Sequence, residues 1–310
     1  MSVSVLGLEA QPVQQWQVHK LQGEEVLLRA WAEPFPGRCV ITARWPQGHV
    51  FYRPSQGVYD PMLLAESVRQ AVPLLSHAVY GAPREHKQAW EHFSFAIEPL
   101  ASLVTTAEEE VRLVLSCSDV VRRGGRFAGM TMDIEVHLGE RLMGTALTRF
   151  NNQPAAIYRR LRGSYADTGA ALARCLPAGP PVEPHRVDRR SPDDVVLSPA
   201  PGGGPGQWML RVDPAHPVLF DHAVDHVPGM LLLEAARQAT HAVVGGDGAE
   251  VVTGMRTNFA RYVEFDAPAV VLAGEPVRDG TGRRRLDVSI EQHGVRVFTS
   301  EVTVEPLIGL

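Results

Sequence analysis

The same ten-residue pattern occurs twice in this chain, and the repeat restricts the possible folds more than any other feature. Residues 62–71 read MLLAESVRQA and residues 230–239 read MLLLEAARQA, so seven of the ten positions are identical. Both copies keep an acidic and a basic residue three positions apart among apolar neighbours. A repeat spaced by the length of a domain indicates duplication of one folding unit rather than the short period of a solenoid.

The second copy predicts a long buried helix with a carboxylate inside it. Pro228-Gly229 precedes residues 230–244, which contain neither proline nor glycine and are followed by a glycine pair. Proline is tolerated in a first helical turn, and glycine commonly ends a helix. The helix is apolar on nearly every face, so an unpaired charge at Glu234 would cost on the order of several kcal/mol. Arg237 shares its face and can pair with it.

The composition is that of a globular protein and favours neither nucleic acid nor a membrane as a partner. Of the 310 residues 45% are hydrophobic and 21% are charged, and the net charge is −5. The chain has no basic, aromatic-rich face and no apolar run near the ~18–20 residues of a membrane span. The first residues lack the basic region of a signal peptide. Three scattered cysteines fit neither a disulfide framework nor a zinc site, so we expect a cytoplasmic protein without metal or cofactor.

One helix followed by several strands, twice over, predicts an α+β fold made of two similar units. A sheet wrapped around each central helix would cover the apolar surface of that helix. We expect an N-terminal unit at residues 1–160, a linker at 161–190 and a C-terminal unit at 191–310. The first helix should cover residues 61–75, with Pro73 bending it or ending it earlier than its counterpart. Residues 1–15 should form a loosely held leader, and residues 197–207 a loop.

Alternating or apolar patterns bounded by turn residues predict the strands of each unit. In the first half they cover residues 25–31, 39–44, 91–97, 110–117, 126–138 and 141–150. In the second half they cover residues 207–212, 217–220, 251–257, 263–265, 270–276, 285–293 and 295–304.

Several motifs resemble those of one known family. A polar, histidine-containing segment followed by Pro-Gly and an apolar helix with an interior glutamate is similar to hotdog-fold enzymes of acyl thioesters. The segments VHK…EVLL, ARWP…H-x-FY and FDHAVDHVPGMLLLEAARQA together resemble the A-factor biosynthesis hotdog family over nearly the whole chain. This resemblance implies a tandem hotdog fold, in which two antiparallel sheets, each wrapped around a helix, join as an intrachain pseudo-dimer.

The resemblance also implies an activity. The family is expected to transfer a β-ketoacyl group from acyl carrier protein to the hydroxyl of dihydroxyacetone phosphate, in the biosynthesis of a γ-butyrolactone, butenolide or furan signalling molecule. Carried over residue by residue, the resemblance implies catalytic roles for Glu234, Glu66 and Arg237, with Arg69 as the repeat partner of Arg237. A homodimer of the chain remains open.

The chemistry of such a transfer suggests how these residues act. A carboxylate with a raised pKa is a suitable base for the attacking hydroxyl, and Glu234 has the more apolar setting of the two glutamates. The N–H groups near Gly229 and Met230 can stabilise an oxyanion at the helix N-terminus. Arginine suits the phosphate of the acceptor, which favours Arg237 and Arg69. Three residues are expected to line the mouth of the substrate pocket, namely His222, Asp225 and His226.

Other interpretations stay open on the sequence alone. Glu234 and Arg237 can form a buried ion pair with a purely structural role. The chain can be another hotdog enzyme, a dehydratase or a thioesterase, or a non-catalytic module that binds acyl groups or autoregulators. The first copy lacks the D-H-x-x-D-H set that precedes the second helix, so we do not expect two equal active sites.

Overall fold

Two compact units, Met1–Leu161 and Arg162–Leu310, make up the chain. The computed structural model describes residues 3–5, 7–105, 110–245 and 250–307. Each unit consists of an antiparallel sheet packed on one long helix. The predicted α+β architecture, with one central helix in each half, is therefore confirmed.

The N-terminal unit has an antiparallel sheet in the order β1-β2-β3-β4-β6-β7-β8-β5. Its elements are β1 (Val3–Val5), β2 (Leu8–Pro12), β3 (Leu28–Phe35), β4 (Arg38–Ala43), α1 (Met62–Ala78), β5 (Lys87–Ile97), β6 (Val111–Arg123), β7 (Arg126–Leu138), β8 (Arg141–Gln153) and α2 (Ala155–Arg162). The long helix α1 packs against β3, β5, β8 and a 3-10 helix at Gln15–Val18.

The C-terminal unit repeats this plan with the strand order β11-β15-β14-β12-β10-β9, and β13 pairs with β14 beside that path. Its elements are α3 (Thr168–Ala173), β9 (Leu197–Pro199), β10 (Gln207–Leu210), α4 (Gly229–Val244), β11 (Glu250–Phe259), β12 (Ala269–Ala273), β13 (Val277–Arg278), β14 (Arg284–Gln292) and β15 (Val295–Pro306). The helix α4 packs against β9, β12, β14, β15 and a 3-10 helix at Pro184–Val187.

Two-residue turns with positive φ set the register of two long hairpins, one in each unit. Gly124 and Gly125 have φ of 57° and 77° and join β6 to β7. His293 and Gly294 have φ of 53° and 70° and join β14 to β15. Turns with φ > 0 at both central residues match the right-handed twist of paired strands, which explains why glycine occupies three of these four positions.

Three predictions about local structure are wrong. The helix α1 continues through Pro73 to Ala78, because Leu74 and Leu75 are fully buried and this packing outweighs one lost backbone hydrogen bond. Residues 8–12 of the predicted leader form β2, which pairs with β3, and residues 197–199 of the predicted loop form β9.

Two short segments that were predicted as strands, residues 217–220 and 263–265, are not strands. The N–H groups of Val218 and Leu219 donate to Nδ1 of His216, and the carbonyl of Val263 accepts from Val227. Three or four residues do not distinguish a strand from a buried turn. In the first segment the ring of His216 accepts the backbone hydrogen bonds, and in the second a backbone carbonyl does.

Gly144 offers a direct test of the sheet in the N-terminal unit. It lies in β8 opposite Ile97, and an added Cβ would clash with the backbone of Ala96 and Ile97. We expect Gly144→Ala to lower the free energy of unfolding by about 1–3 kcal/mol. Gly48→Ala is the matched control, since an added Cβ there meets nothing within 4 Å. Equal thermal unfolding temperatures for the two variants would contradict this register.

Candidate active site

A carboxylate in the middle of α4 is the centre of the polar cluster in the C-terminal unit. Glu234 has no exposed surface. Arg189 binds it with two parallel hydrogen bonds, Nε to Oε1 at 2.8 Å and Nη2 to Oε2 at 2.7 Å. Arg237 donates from Nε to Oε2 at 3.1 Å, and Gln238 donates to Oε1 at 2.6 Å. The predicted Glu234–Arg237 pair is present, but Arg189 makes the stronger, bidentate contact.

The expectation that Glu234 has a raised pKa is wrong. Burial alone would raise the pKa of this carboxyl, but the positive charges of Arg189 and Arg237 outweigh burial and lower it. The carboxylate is therefore ionised, enclosed and saturated with hydrogen bonds. A carboxylate in this state is a weak proton acceptor. This favours the alternative interpretation, in which Glu234 forms a structural ion pair.

The polar residues of α4 form hydrogen bonds that hold the segment preceding β9 against the helix. Gln238 donates to the carbonyl of Asp194 at 2.8 Å and accepts from the N–H of Val196 at 2.9 Å. Arg237 donates to Oδ2 of Asp188 at 3.0 Å and to its carbonyl at 3.1 Å. Asp188 has a left-handed backbone, with φ of 53° and ψ of 46°. Arg237 is thus committed to protein partners, which leaves it no free edge for a phosphate.

His241 lies one turn further along α4, beside the same cluster. Its Nε2 is 3.9 Å from Oδ2 of Asp188. Burial, followed by the charge of Arg237, lowers the pKa of His241 to about 4. The ring is therefore neutral at ordinary pH and packs as a core residue, in line with its place on a buried helix.

The N-terminal unit contains the same cluster with a lysine in place of Arg189. Glu66 accepts from Nε and Nη2 of Arg69 at 2.9 Å each and from Gln70 at 2.8 Å, and Lys20 lies 3.2 Å away. Burial would raise the pKa of Glu66, but Arg69 and Lys20 lower it to about 2. The side chain of Arg69 keeps 23% of its surface exposed, so it is the more accessible of the two predicted phosphate ligands.

The sequence analysis did not predict the roles of Arg189 and Lys20, although an alignment of the two repeats could have identified both residues. Gln70 donates to the carbonyl of Glu25 as Gln238 does to that of Asp194. Glu25 and Asp194 are therefore equivalent positions in the two repeats. Lys20 lies five residues before Glu25 and Arg189 lies five residues before Asp194, so these two cations are equivalent as well. Alignment of EVLL at residues 25–28 with DVVL at residues 194–197 pairs these two cations without a gap.

The two helices differ at their N-termini, where the first unit is closed and the second is open. In α1 the carboxylate of Asp60 accepts from the N–H of Met62 at 2.8 Å, and Pro61 has no N–H to offer. In α4 the residue before the helix is Pro228, and no side chain of the described residues caps this end. Gly229 and Met230 therefore present N–H groups at the positive end of a helix, where negative charge is favoured.

Of the three predicted pocket-mouth residues, the structure brings two together, Asp225 and His226. Nδ1 of His226 lies 2.7 Å from Oδ1 of Asp225, and Arg162 donates to the Asp225 carbonyl at 3.0 Å. The ring of Tyr262 packs edge-on against His226 at 4.6 Å between centroids. His222 stands apart with Asp221, 3.4 Å from it. Arg162 and Tyr262 were not predicted from the sequence, because neither lies near the motif in the chain.

Two other structural findings bear on the kind of site present. Among residues 3–5, 7–105, 110–245 and 250–307, no group of three or more His, Cys, Asp or Glu side chains is placed to hold a metal ion. No helix in this described part of the chain is both long and apolar enough to cross a membrane.

Solved structures define the fold class. An acyl-ACP thioesterase from Bacteroides thetaiotaomicron superposes with a TM-score of 0.53 at 11% identity, covering 86% of this chain and 98% of that one. The 12:0-ACP thioesterase from Umbellularia californica gives a TM-score of 0.52 at 10% identity, covering 86% and 97%. At these identities the likeness concerns the fold alone. The hotdog domain that matches residues 7–152 and 171–307 identifies this fold as a tandem hotdog.

Sequence comparison identifies the family. The A-factor biosynthesis hotdog domain matches residues 7–152 and 171–307, and the chain belongs to this family. A 2-oxo-3-(phosphooxy)propyl 3-oxoalkanoate synthase from Streptomyces virginiae is 38% identical over 282 residues, 91% of this chain and 94% of the relative. The synthase of the same name from Streptomyces coelicolor is 36% identical over 299 residues, 95% of this chain and 92% of the relative.

Removing Arg189 should be costly, because it would leave a buried carboxylate with part of its charge unbalanced. We expect Arg189→Ala to lower the free energy of unfolding by about 3–5 kcal/mol. The neighbouring Arg190 is exposed, and Arg190→Ala should change stability by less than about 0.5 kcal/mol. Denaturant unfolding of both variants measures the difference. Similar small effects in the two variants would show that Arg189 does not hold Glu234 in solution.

The lowered pKa of Glu66 predicts a dependence of stability on pH. Its folded pKa of about 2 lies below the ordinary value of 4.5, so its contribution to stability is complete above 4.5 and is lost as the pH falls towards 2. Glu66→Gln removes this titration. The stability difference between wild type and Glu66→Gln should therefore shrink between about pH 5 and pH 3. A difference that stays constant in urea unfolding over this interval would disprove the lowered pKa.

Proposed function

We propose that the chain is a β-ketoacyl-ACP:dihydroxyacetone phosphate acyltransferase. The observation that carries this proposal is the identity of 36–38% to synthases over 91–95% of the chain. The name of these synthases describes an ester of a 3-oxoalkanoic acid with a 2-oxo-3-(phosphooxy)propyl group. Joining a β-ketoacyl thioester to the hydroxyl of dihydroxyacetone phosphate forms such an ester directly. Acyl carrier protein and dihydroxyacetone phosphate are then the partners of the reaction, which takes place in the cytoplasm.

The open N-terminus of α4 supports placing this reaction in the C-terminal unit. Attack of a hydroxyl on a thioester puts negative charge on the carbonyl oxygen, and preorganised N–H groups stabilise that charge. Gly229 and Met230 offer two such groups at the positive end of a helix. In the N-terminal unit the corresponding positions offer Pro61, without an N–H, and Met62, whose N–H is taken by Asp60. The chain therefore has one working site.

In this proposal the buried glutamates act by positioning α1 and α4 rather than by accepting a proton. Glu234 and Glu66 are enclosed, ionised and held by several donors each. Arg237 acts with Glu234 to hold the segment before β9 against the helix. Substitution of these residues would then lower activity together with stability, which distinguishes a positioning role from a direct one.

The product is a phosphorylated β-ketoester, which can cyclise towards a γ-butyrolactone, butenolide or furan. The β-carbonyl makes the hydrogens on the carbon between the two carbonyl groups acidic. Once deprotonated, that carbon can attack the ketone of the three-carbon unit. This ring closure needs no further acyl group, so it can follow the transfer without a second carrier protein. The proposed biosynthetic role is thus the supply of a signalling-molecule precursor.

Mass spectrometry of the reaction mixture tests the transfer. Purified protein with a β-ketoacyl carrier-protein thioester should form a phosphorylated ester, or its dehydrated butenolide, only when dihydroxyacetone phosphate is present. Free β-keto acid released at the same rate with or without the acceptor would instead identify a thioesterase. A thioester left intact in both reactions would contradict acyl transfer to this acceptor.

Gly229→Pro tests the oxyanion role of the helix N-terminus with little effect on folding. The change copies Pro61 of the first unit, and Pro228, with φ of −59° and ψ of 142°, already has a backbone that a following proline accepts. Loss of one N–H donor should lower kcat by about 10²–10³-fold. Pro61→Gly is the reciprocal control and should leave kcat unchanged. If both variants keep wild-type kcat, this helix end does not bind the oxyanion.

A further inference from the structure

A histidine and a carboxylate beside the N-terminus of α4 form a dyad that the buried glutamate cluster does not use. His226 and Asp225 lie just before Pro228, and Nδ1 of His226 is 2.7 Å from Oδ1 of Asp225. The Asp225 side chain is 8% exposed, whereas that of His226 is 27% exposed. The carboxylate is therefore enclosed while the imidazole can be reached by a small molecule.

The hydrogen bond to Asp225 fixes which nitrogen of His226 can accept a proton. An ionised carboxylate only accepts hydrogen bonds, so Nδ1 must carry the hydrogen and Nε2 must carry the lone pair in the neutral ring. Arg162 stands beside this carboxylate, with its Nε 3.6 Å from Oδ2. Within the described part of the chain, Nε2 of His226 has no hydrogen-bond partner. This is the arrangement in which a carboxylate orients a histidine as a general base.

Three residues around the dyad hold the imidazole in place. Arg162 binds both oxygens of Glu264 and donates to the carbonyl of Asp225, which anchors the guanidinium. The same guanidinium lies over the ring of Tyr262 at 4.3 Å, and Tyr262 in turn packs edge-on against His226. A ring held on one side by a carboxylate and on another by an aromatic face loses little freedom when it meets a substrate.

The dyad is present in one unit, the same unit whose helix N-terminus is open. In the repeat, Asp225 and His226 fall on Gly57 and Val58 of the N-terminal unit, which carry no ionisable group. Val58 takes part there in backbone bridges with Ser55 and Leu103. Glu234 and Glu66, by contrast, are equivalent positions in the two units, and nearby positive charges lower the pKa of each. The residues specific to the C-terminal unit are thus the ones suited to chemistry.

We propose that His226 is the general base of acyl transfer and that Asp225 is its positioning residue, an inference that rests on the proposed function. Nε2 of His226 takes the proton from the acceptor hydroxyl as the hydroxyl oxygen bonds to the thioester carbon. The carbonyl electron pair moves to oxygen, where the N–H groups of Gly229 and Met230 stabilise it. The C–S bond then breaks, and the carrier thiolate receives the proton from His226, which returns to its neutral form.

The neighbouring pair Asp221–His222 is the competing candidate. Its two side chains are 3.4 Å apart, longer than the 2.7 Å of Asp225–His226, and the side chain of His222 is 39% exposed. A longer contact on a more exposed ring orients the imidazole less firmly. His222 is therefore assigned to substrate contact at the pocket mouth.

Kinetics of histidine variants test the assignment in the full-length protein, with ester formation followed by mass spectrometry. His226→Ala should lower kcat by about 10²–10⁴-fold and change the KM for dihydroxyacetone phosphate little. Added imidazole should restore part of the lost rate, which a structural role would not allow. Asp225→Asn should lower kcat by about 10–100-fold with the melting temperature checked alongside. His185→Ala, at an exposed position, serves as the control.

Nitrogen NMR of the wild-type protein tests the dyad separately from the reaction. The signal missing from His226→Ala identifies the residue, and the neutral form of this ring should carry its hydrogen on Nδ1. A ring protonated at Nε2 would overturn the proposal even if the protein is a transferase. A wild-type kcat in His226→Ala would also overturn it. So would a loss of kcat in His226→Ala that imidazole does not restore, if His222→Ala abolishes turnover. A correct tautomer without any ester formed would instead locate the failure in the proposed function.

Discussion

The architecture of each unit depends on a carboxylate placed inside an almost wholly apolar helix. Glu234 cannot reach water, so the fold must supply positive charge and hydrogen bonds to it from elsewhere in the unit. Arg189 comes from the segment that follows the 3-10 helix Pro184–Val187 and precedes β9, and Gln238 links the same carboxylate to the backbone of Asp194. The ion pair therefore determines where the segment before β9 lies against α4. Burial of the Glu234 carboxylate thus restricts the path that the chain can take before β9.

Duplication explains why this constraint appears twice with small changes. Lys20 takes the place of Arg189, and Glu66 keeps Arg69 and Gln70 as its other partners. A lysine supplies charge without the bidentate fork of an arginine, so the substitution preserves neutrality while changing the geometry. What differs more is the region before each helix. There the first unit closes the helix end with Asp60, whereas the second leaves it open beside a histidine–carboxylate dyad. Both copies keep the buried glutamate cluster, and the Asp225–His226 dyad lies in the second copy.

The sequence predicted features that depend on local periodicity and missed those that depend on distant contacts. The buried helix and the Glu234–Arg237 pair follow from spacing along one helix, and the structure confirms them. The raised pKa of Glu234 followed from counting apolar neighbours in that helix, and it failed because Arg189 comes from another part of the unit. Arg162 and Tyr262, which hold the dyad, likewise lie far from His226 in the chain. Only the folded unit brings such groups together.

The stoichiometry of substrate binding tests most directly the claim that one unit carries the site. The probe is a carrier protein bearing a β-ketoacyl amide, in which nitrogen replaces the thioester sulfur and prevents transfer. Calorimetric titration in the presence of dihydroxyacetone phosphate should give one carrier protein bound per chain. Of the two long helices, α4 has the open N-terminus beside a dyad, whereas Asp60 closes that of α1. Two equivalent carrier proteins per chain would contradict the account and show that both units bind the acyl group.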